Sequence, residues 1–282
     1  MKARKIARII KGREGSDGAG VKLIRLFSHA EAKDLDPFLM MDAFDSVDPE
    51  DYKKGFPWHP HRGIETITYL IEGNIEHQDS LGNTGVLNSG DGQWMTAGSG
   101  IIHNEMPKAS WRMRGFQLWL NLPKKDKMTQ PSYGDIKSHE IPEIPVGKNK
   151  VRIVAGLFDG IKGAFTGKYV ELQFLDIDLI KNDEIVIKTE PNNTVFAYVL
   201  EGDVKFSKSK HAIAQKNVVL FDPGNNLTAE AISDHARILI FNAPPLNEPV
   251  AWAGPIVMNT EDELRLAFAQ LQRGTFVQPN SQ

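Results

Sequence analysis

Cysteine is absent from the 282 residues. That excludes disulfides, thiolate nucleophiles and Cys-ligated zinc together, and leaves any metal site to histidine, carboxylate and water. Also missing is any run near the ~18 consecutive apolar residues a membrane helix requires. The basic start, MKARKIARIIKGREG, has its apolar stretch broken by Arg8 and Lys11. A secretion signal needs an uninterrupted hydrophobic region; Ile6, Ala7, Ile9 and Ile10 suit a first strand better. Neither sign of charge dominates, since 33 Lys+Arg stand against 36 Asp+Glu for a net −3. A pI near 6.3 argues against a general nucleic-acid binder. The expectation is a cytoplasmic protein with neither a membrane nor a nucleic acid as direct partner.

What is present is an ordinary globular composition, 41% hydrophobic and 24% charged. Short apolar runs recur between Gly, Asn, Asp and Pro, among them ETITYLIEG, RGFQLWLNLP, VRIVAGLF, TVFAYVLEG and ARILIFNAP. Runs of this length, rich in Ile, Val, Tyr and Phe, read as strands of an all-β sandwich or barrel. Long amphipathic helices are nearly absent. The exception lies near the end, where Thr260 and Glu263 read as a capping box and Leu264, Ala267, Phe268 and Leu271 share one helical face before Gly274. A helix over 261–273 is expected.

An internal repeat sets the domain count. Tyr69-Leu-Ile-Glu72-Gly73 recurs 129 residues later as Tyr198-Val-Leu-Glu201-Gly202, and Gln117-Leu-Trp-Leu-Asn121-Leu-Pro123 resembles Ile238-Leu-Ile-Phe-Asn242-Ala-Pro244. Two related β-barrels are therefore expected, over 1–135 and 136–282, with the helix closing the second.

The first half holds His59-Pro60-His61 and, 42 residues beyond His61, His103-Asn104-Glu105. In a strand, residues i and i+2 project to the same face, so each pair can aim two ligands at one point. If the strands are neighbours inside a barrel, three imidazoles and one carboxylate converge. That donor set suits a divalent first-row ion, zinc included. The repeat offers a test. Shifting His59 and His61 by 129 reaches Lys188 and Glu190, and aligning Trp94–Gly98 with Leu220–Gly224 puts Ala229 and Ala231 opposite His103 and Glu105. The second half lacks all four positions, so the fold does not require the quartet.

At these residues the chain comes to resemble known proteins. Gly55-x₃-His59-x-His61-x₃-Glu65, followed by Gly92-x₇-Gly100-x₂-His103, resembles the two motifs of the cupin superfamily. It departs from them in the longer spacing between Glu65 and Gly73 and in lacking the second motif's proline. Longer strings, Phe38-Leu-Met-Met-Asp42, Phe56-Pro-Trp-His59-Pro-His61-Arg62-Gly63, Gln93-Trp94-Met-Thr-Ala97-Gly98 and His103-Asn-Glu105-Met106-Pro107, resemble the pirin family. So does the tail Gly254–Thr260, and the likeness covers essentially the whole chain.

The resemblance implies two tandem cupin barrels with one Fe(2+) in the first, held by His59, His61, His103 and Glu105. Zn, Mn, Ni, Cu and Co remain open, because divalent affinities follow the Irving–Williams order. Glu65, a ligand in many other cupins, is implied to stand beside the metal ligands. The resemblance also implies quercetin 2,3-dioxygenase activity on a flavonol or other planar phenol, with O2 as co-substrate, carbon monoxide as product and Glu105 as catalytic base. The alternative it carries is an iron-dependent redox-sensing regulator that binds a transcription factor or metabolic enzyme. Asp42 and Arg62 are expected to orient ligands or substrate, or else to form a buried ion pair. Trp94 and Met95 are expected to wall the pocket or fill the core. His77, His139, His211 and His235 read as surface or satisfied core residues, and Lys124, Lys125 and Lys127 as a solvated linker.

Overall fold

The structure, a computed structural model, describes residues 2–278. The strand-rich segments pair antiparallel into two units that share one topology. In the first unit a seven-stranded sheet runs in the order Ser132–Ile136, Gly92–Thr96, Ile64–Glu72, Met113–Asn121, Phe38–Ser46, Val21–Phe27, Arg13–Asp17. Its four-stranded partner runs Phe56–His61, Ile101–Pro107, Asn74–Asp79, Thr84–Asn88. The second unit repeats this strand for strand. Its larger sheet runs Ile6–Lys11, Asn217–Phe221, Thr194–Glu201, His235–Ala243, Gln173–Ile180, Asn149–Ala155, Glu143–Val146. Its smaller sheet runs Ile185–Lys188, Asn226–Ala231, Asp203–Phe206, Ile213–Ala214. The chain is thus all-β in two barrels, with one α-helix among the described residues, at Glu261–Gln272. No helix among the described residues is long and apolar enough to cross a membrane.

The units are not the contiguous halves 1–135 and 136–282. Residues 2–13 group with 33–37 and 139–245, while 246–278 group with 14–32 and 38–138. Pairing explains the exchange. Ile6–Lys11 completes the edge of the second sheet against Asn217–Phe221 and buries Ile10. Arg4, fully buried, bonds Thr189 Oγ1 and the carbonyls of Glu190, Asn193 and Asp222. The C-terminal helix instead buries Leu264 and Ala267 with Ile256, Met258 and Phe276 in the first unit. Its start is the expected capping box: Thr260 Oγ1 accepts from the Glu263 N–H at 3.2 Å, and Glu263 Oε2 accepts from the Thr260 N–H at 2.9 Å.

Register corrects the repeat alignment. His103 pairs with His59 and Ile101 with His61, whereas Ala229 pairs with Ile185 and Leu227 with Ile187. The positions of His59 and His61 are therefore taken by Ile185 and Ile187, not Lys188 and Glu190, because the loops between motifs differ in length. All four equivalents, Ile185, Ile187, Ala229 and Ala231, are buried in one apolar core that fills the second barrel. Two of the first barrel's apolar clusters lie around Met40 and Trp119 and around Phe44 and Leu70.

Candidate metal centre

Phe56–His61 and Ile101–Pro107 are antiparallel neighbours, and His103 lies directly opposite His59. The i, i+2 spacing puts His61 on the same face, and the three rings approach to centroid distances of 4.3, 4.8 and 5.1 Å. Their ligand atoms lie within 4.8 Å of one another. His61 and His103 are each 1% exposed and His59 is half-buried.

Hydrogen bonds orient two of the rings. His59 Nδ1 lies 2.9 Å from the Pro57 carbonyl and His61 Nδ1 3.2 Å from that of Pro255. A carbonyl only accepts, so Nδ1 carries the proton and Nε2 keeps its lone pair. The buried Nε2 atoms of His61 and His103 have no hydrogen-bond partner. Burial, then neighbouring His59, pushes the His61 pKa down to about 3; burial and the surrounding histidines put His103 well below its ordinary value. Neutral imidazoles with orphaned, converging lone pairs fit a divalent metal ion.

Glu105 is placed beside this group rather than at its centre. Its neighbours within ligand range are His103 and His77. Gln117 Nε2 donates to Glu105 Oε2 at 2.9 Å and Thr68 Oγ1 donates to Oε1 at 3.2 Å. His77, read from the sequence as a residue without ligand partners, is buried against the site. Its two ring nitrogens are engaged, with Gln93 Nε2 at 2.8 Å and Asp79 Oδ2 at 3.3 Å, and its ring stacks on Tyr133. It therefore offers no free lone pair.

The other expected residues separate. Glu65 is buried, accepts from Thr96 Oγ1 at 2.7 Å, and belongs to neither group of ligand atoms. Asp42 lines the same cavity as His59 and His61 and takes a two-pronged ion pair from Arg25. Arg62 turns away from the site. It bonds the Ser99 and Phe276 carbonyls and Gln270 Oε1, and so pins the C-terminal segment. Lys124 and Lys125 are exposed, but Lys127 is not part of a solvated linker. It is 2% exposed, and its Nζ donates to the carbonyls of Gly63 and Val257 and to Asn121 Oδ1.

The cavity has a volume of about 510 Å³. Met40, Phe44, Phe56, Trp119 and Trp252 wall it, and Trp119 meets His61 edge-on at 5.0 Å. Trp94 and Met95 are buried elsewhere in the core. Sequence reading missed Trp119, Thr68 and Gln117, although their alternation along two strands is a signal that they share the inward face.

Such a donor set on a two-barrel scaffold narrows the relatives, and comparison decides among them. Residues 20–120 match the Pirin family and 174–277 the Pirin C-terminal cupin domain. The chain is a member of the pirin family. A pirin-like protein from Caulobacter vibrioides is 40% identical over 279 residues, covering 98% of this chain and 100% of that protein. The crystal structure of a quercetin 2,3-dioxygenase from Acinetobacter baumannii superimposes with a TM-score of 0.91 at 31% identity, over 97% of this chain and 98% of that one. A bacterial pirin from Escherichia coli, solved in complex with nickel(II), has the same fold, with a TM-score of 0.67 at 22% identity over 84% of this chain and 99% of that one.

Proposed function

We propose that this pirin is a mononuclear non-haem iron quercetin 2,3-dioxygenase, with His59, His61, His103 and Glu105 as the metal ligands. The observation that carries the reading is the pair of orphaned, buried Nε2 atoms on His61 and His103, with His61 and His59 lining an aromatic cavity. Support comes also from the likeness to a quercetin 2,3-dioxygenase along nearly the whole chain. A bound Fe(2+) would polarise the substrate's hydroxyl oxygen as a Lewis acid and supply redox chemistry toward O2.

The chain's own residues do the rest. Trp119, Met40 and Phe56 hold a planar flavonol and keep water from its ring, as the mostly apolar walls of ligand sites do. Glu105 takes the proton of the flavonol 3-hydroxyl. Gln117 and Thr68 fix the carboxylate's orientation by donating one hydrogen bond to each oxygen. The resulting enolate adds O2 across carbons 2 and 4; the heterocycle opens and carbon 3 leaves as carbon monoxide.

Anaerobic reconstitution with Fe(2+), followed by oxygen uptake and carbon monoxide release on adding quercetin, tests the proposal. Turnover is expected in the wild type and not in His61→Ala, whose metal content should also collapse. Stoichiometric iron with no turnover on any flavonol would overturn it.

A further inference from the structure

One transverse row of the first barrel's large sheet is polar across five strands. Gln93 pairs with Thr68, Thr68 with Gln117, Gln117 with Asp42, and Asp42 with Arg25. Four of the five, Thr68, Gln117, Asp42 and Arg25, line the cavity that also contains His59, His61 and Glu105. The second barrel supplies an internal control. Its corresponding row is Val219, Ala197, Ile240, Leu175 and Ile153, paired in the same order. Each of these is 0% exposed within the apolar core. The fold is satisfied by hydrocarbon here, and buried polar groups cost stability unless they are bonded. A polar row maintained in only one of two like barrels points to a ligand.

The two ends of the row differ in chemistry. At the Thr68–Gln117 end sits Glu105. At the far end Arg25 grips Asp42, Nε to Oδ1 at 2.9 Å and Nη2 to Oδ2 at 2.7 Å, and also reaches Asp17 Oδ2 at 2.8 Å. Adjacent strands lie about 4.8 Å apart, so Arg25 stands about 14 Å along the sheet from Thr68. One guanidinium between two carboxylates leaves this end with net negative charge. His29, the remaining basic group there, has its pKa lowered by burial and by Arg25, and stacks on Trp252 at 3.5 Å. Such an end repels a carboxylate or sulfonate. It accepts O–H donors, since each carboxylate oxygen has a second lone pair, while the guanidinium plane can lie against an aromatic face.

Given the flavonol reading above, we propose that Asp42 and Arg25, with Asp17 at the rim, select the substrate: a planar polyphenol carrying hydroxyl donors on its 2-aryl ring, which is the distal ring that lies toward Arg25 and away from Glu105. Asp42 accepts from those hydroxyls, and Arg25 holds Asp42 in place and supports the ring.

The test is anaerobic binding to the Fe(2+)-loaded protein, read as dissociation constants for three flavonols. Quercetin has two hydroxyls on the distal ring, galangin has none, and a third analogue carries a sulfonate on that ring. Quercetin should bind about tenfold more tightly than galangin, the worth of a hydrogen bond to a charged group, and the sulfonate most weakly. Asp42→Asn should bring the quercetin-to-galangin ratio near one with the galangin constant unchanged. Asp17→Asn, at a residue whose side chain is 53% exposed, should lower the same ratio and relieve the penalty on the sulfonate. Equal binding of quercetin and galangin by the wild type, or tightest binding of the sulfonate, would overturn the proposal while leaving the flavonol reading standing. If none of the three binds, both fall.

Discussion

Gln117 shows how one side chain outside the expected ligand set shapes the chemistry. It is half-buried, donates to Glu105 Oε2 at 2.9 Å, and also reaches Thr68 Oγ1 at 3.3 Å. A carboxylate with each oxygen held by a neutral donor stays oriented. In Gln117→Leu that restraint is lost, and a hydrogen bond to a charged group is worth about 1.5–3 kcal/mol. On the proposed activity, the turnover number on quercetin should fall at least tenfold, with KM and metal stoichiometry within twofold of wild type. Steady-state kinetics beside metal analysis checks this. Legibility differs among these residues for a physical reason. His59, His61, His103 and Glu105 stand in i, i+2 pairs, and strand geometry fixes what such pairs share. Gln117, Thr68 and Arg25 come together only across strands far apart in the chain.

At the scale of elements, the turn after His61 is held by backbone that tolerates no side chain. Gly63 has φ +75°, and a Cβ there would stand 1.9 Å from the Val257 carbonyl oxygen. Gly63→Ala should destabilise the protein by about 3 kcal/mol or more, from left-handed backbone strain of ~1–3 and overpacking of ~1–3 kcal/mol. Thermal or denaturant unfolding of both proteins measures it. The same turn is tied by Lys127, whose Nζ joins Gly63, Asn121 and Val257.

Burial lowers the Lys127 pKa to about 7 from 10.5. Between these values the unfolded chain binds a proton that the folded chain has released, so stability rises with pH across that window. Below about pH 7 both states are protonated, and the burial penalty is felt in full. The difference in unfolding free energy between wild type and Lys127→Met should therefore shift in favour of the wild type from pH 7 to pH 10. A pH-independent difference would refute the shifted pKa. The short Lys-rich stretch looked solvated because composition says nothing about which carbonyls a lysine will meet.

For the whole molecule, each barrel borrows an end of the chain from the other's half of the sequence. Ile6–Lys11 is the edge strand of the second barrel, and the helix at Glu261–Gln272 packs on elements of the first. Deleting residues 2–11 removes that edge and the buried Arg4 network with it. Amide exchange should then accelerate selectively in 139–245, while 38–121 keep their protection and the histidine site keeps its capacity to bind a divalent metal. Uniform loss of protection would show that the exchanged strand supports both units equally.

The sequence by itself determined the all-β character, the duplication, the capped helix and the histidine pairs, because each is written in short-range periodicity or spacing. It also carried the family resemblance, which comparison of both domains bears out. Tertiary structure alone decided which unit each terminus joins, the true register of the repeat, the placement of Arg62 and Lys127, and the polar row that ends at Arg25. These are pairings between distant segments. Their partners are chosen by which edges and faces remain to be covered once the barrels close, and no local pattern encodes that choice.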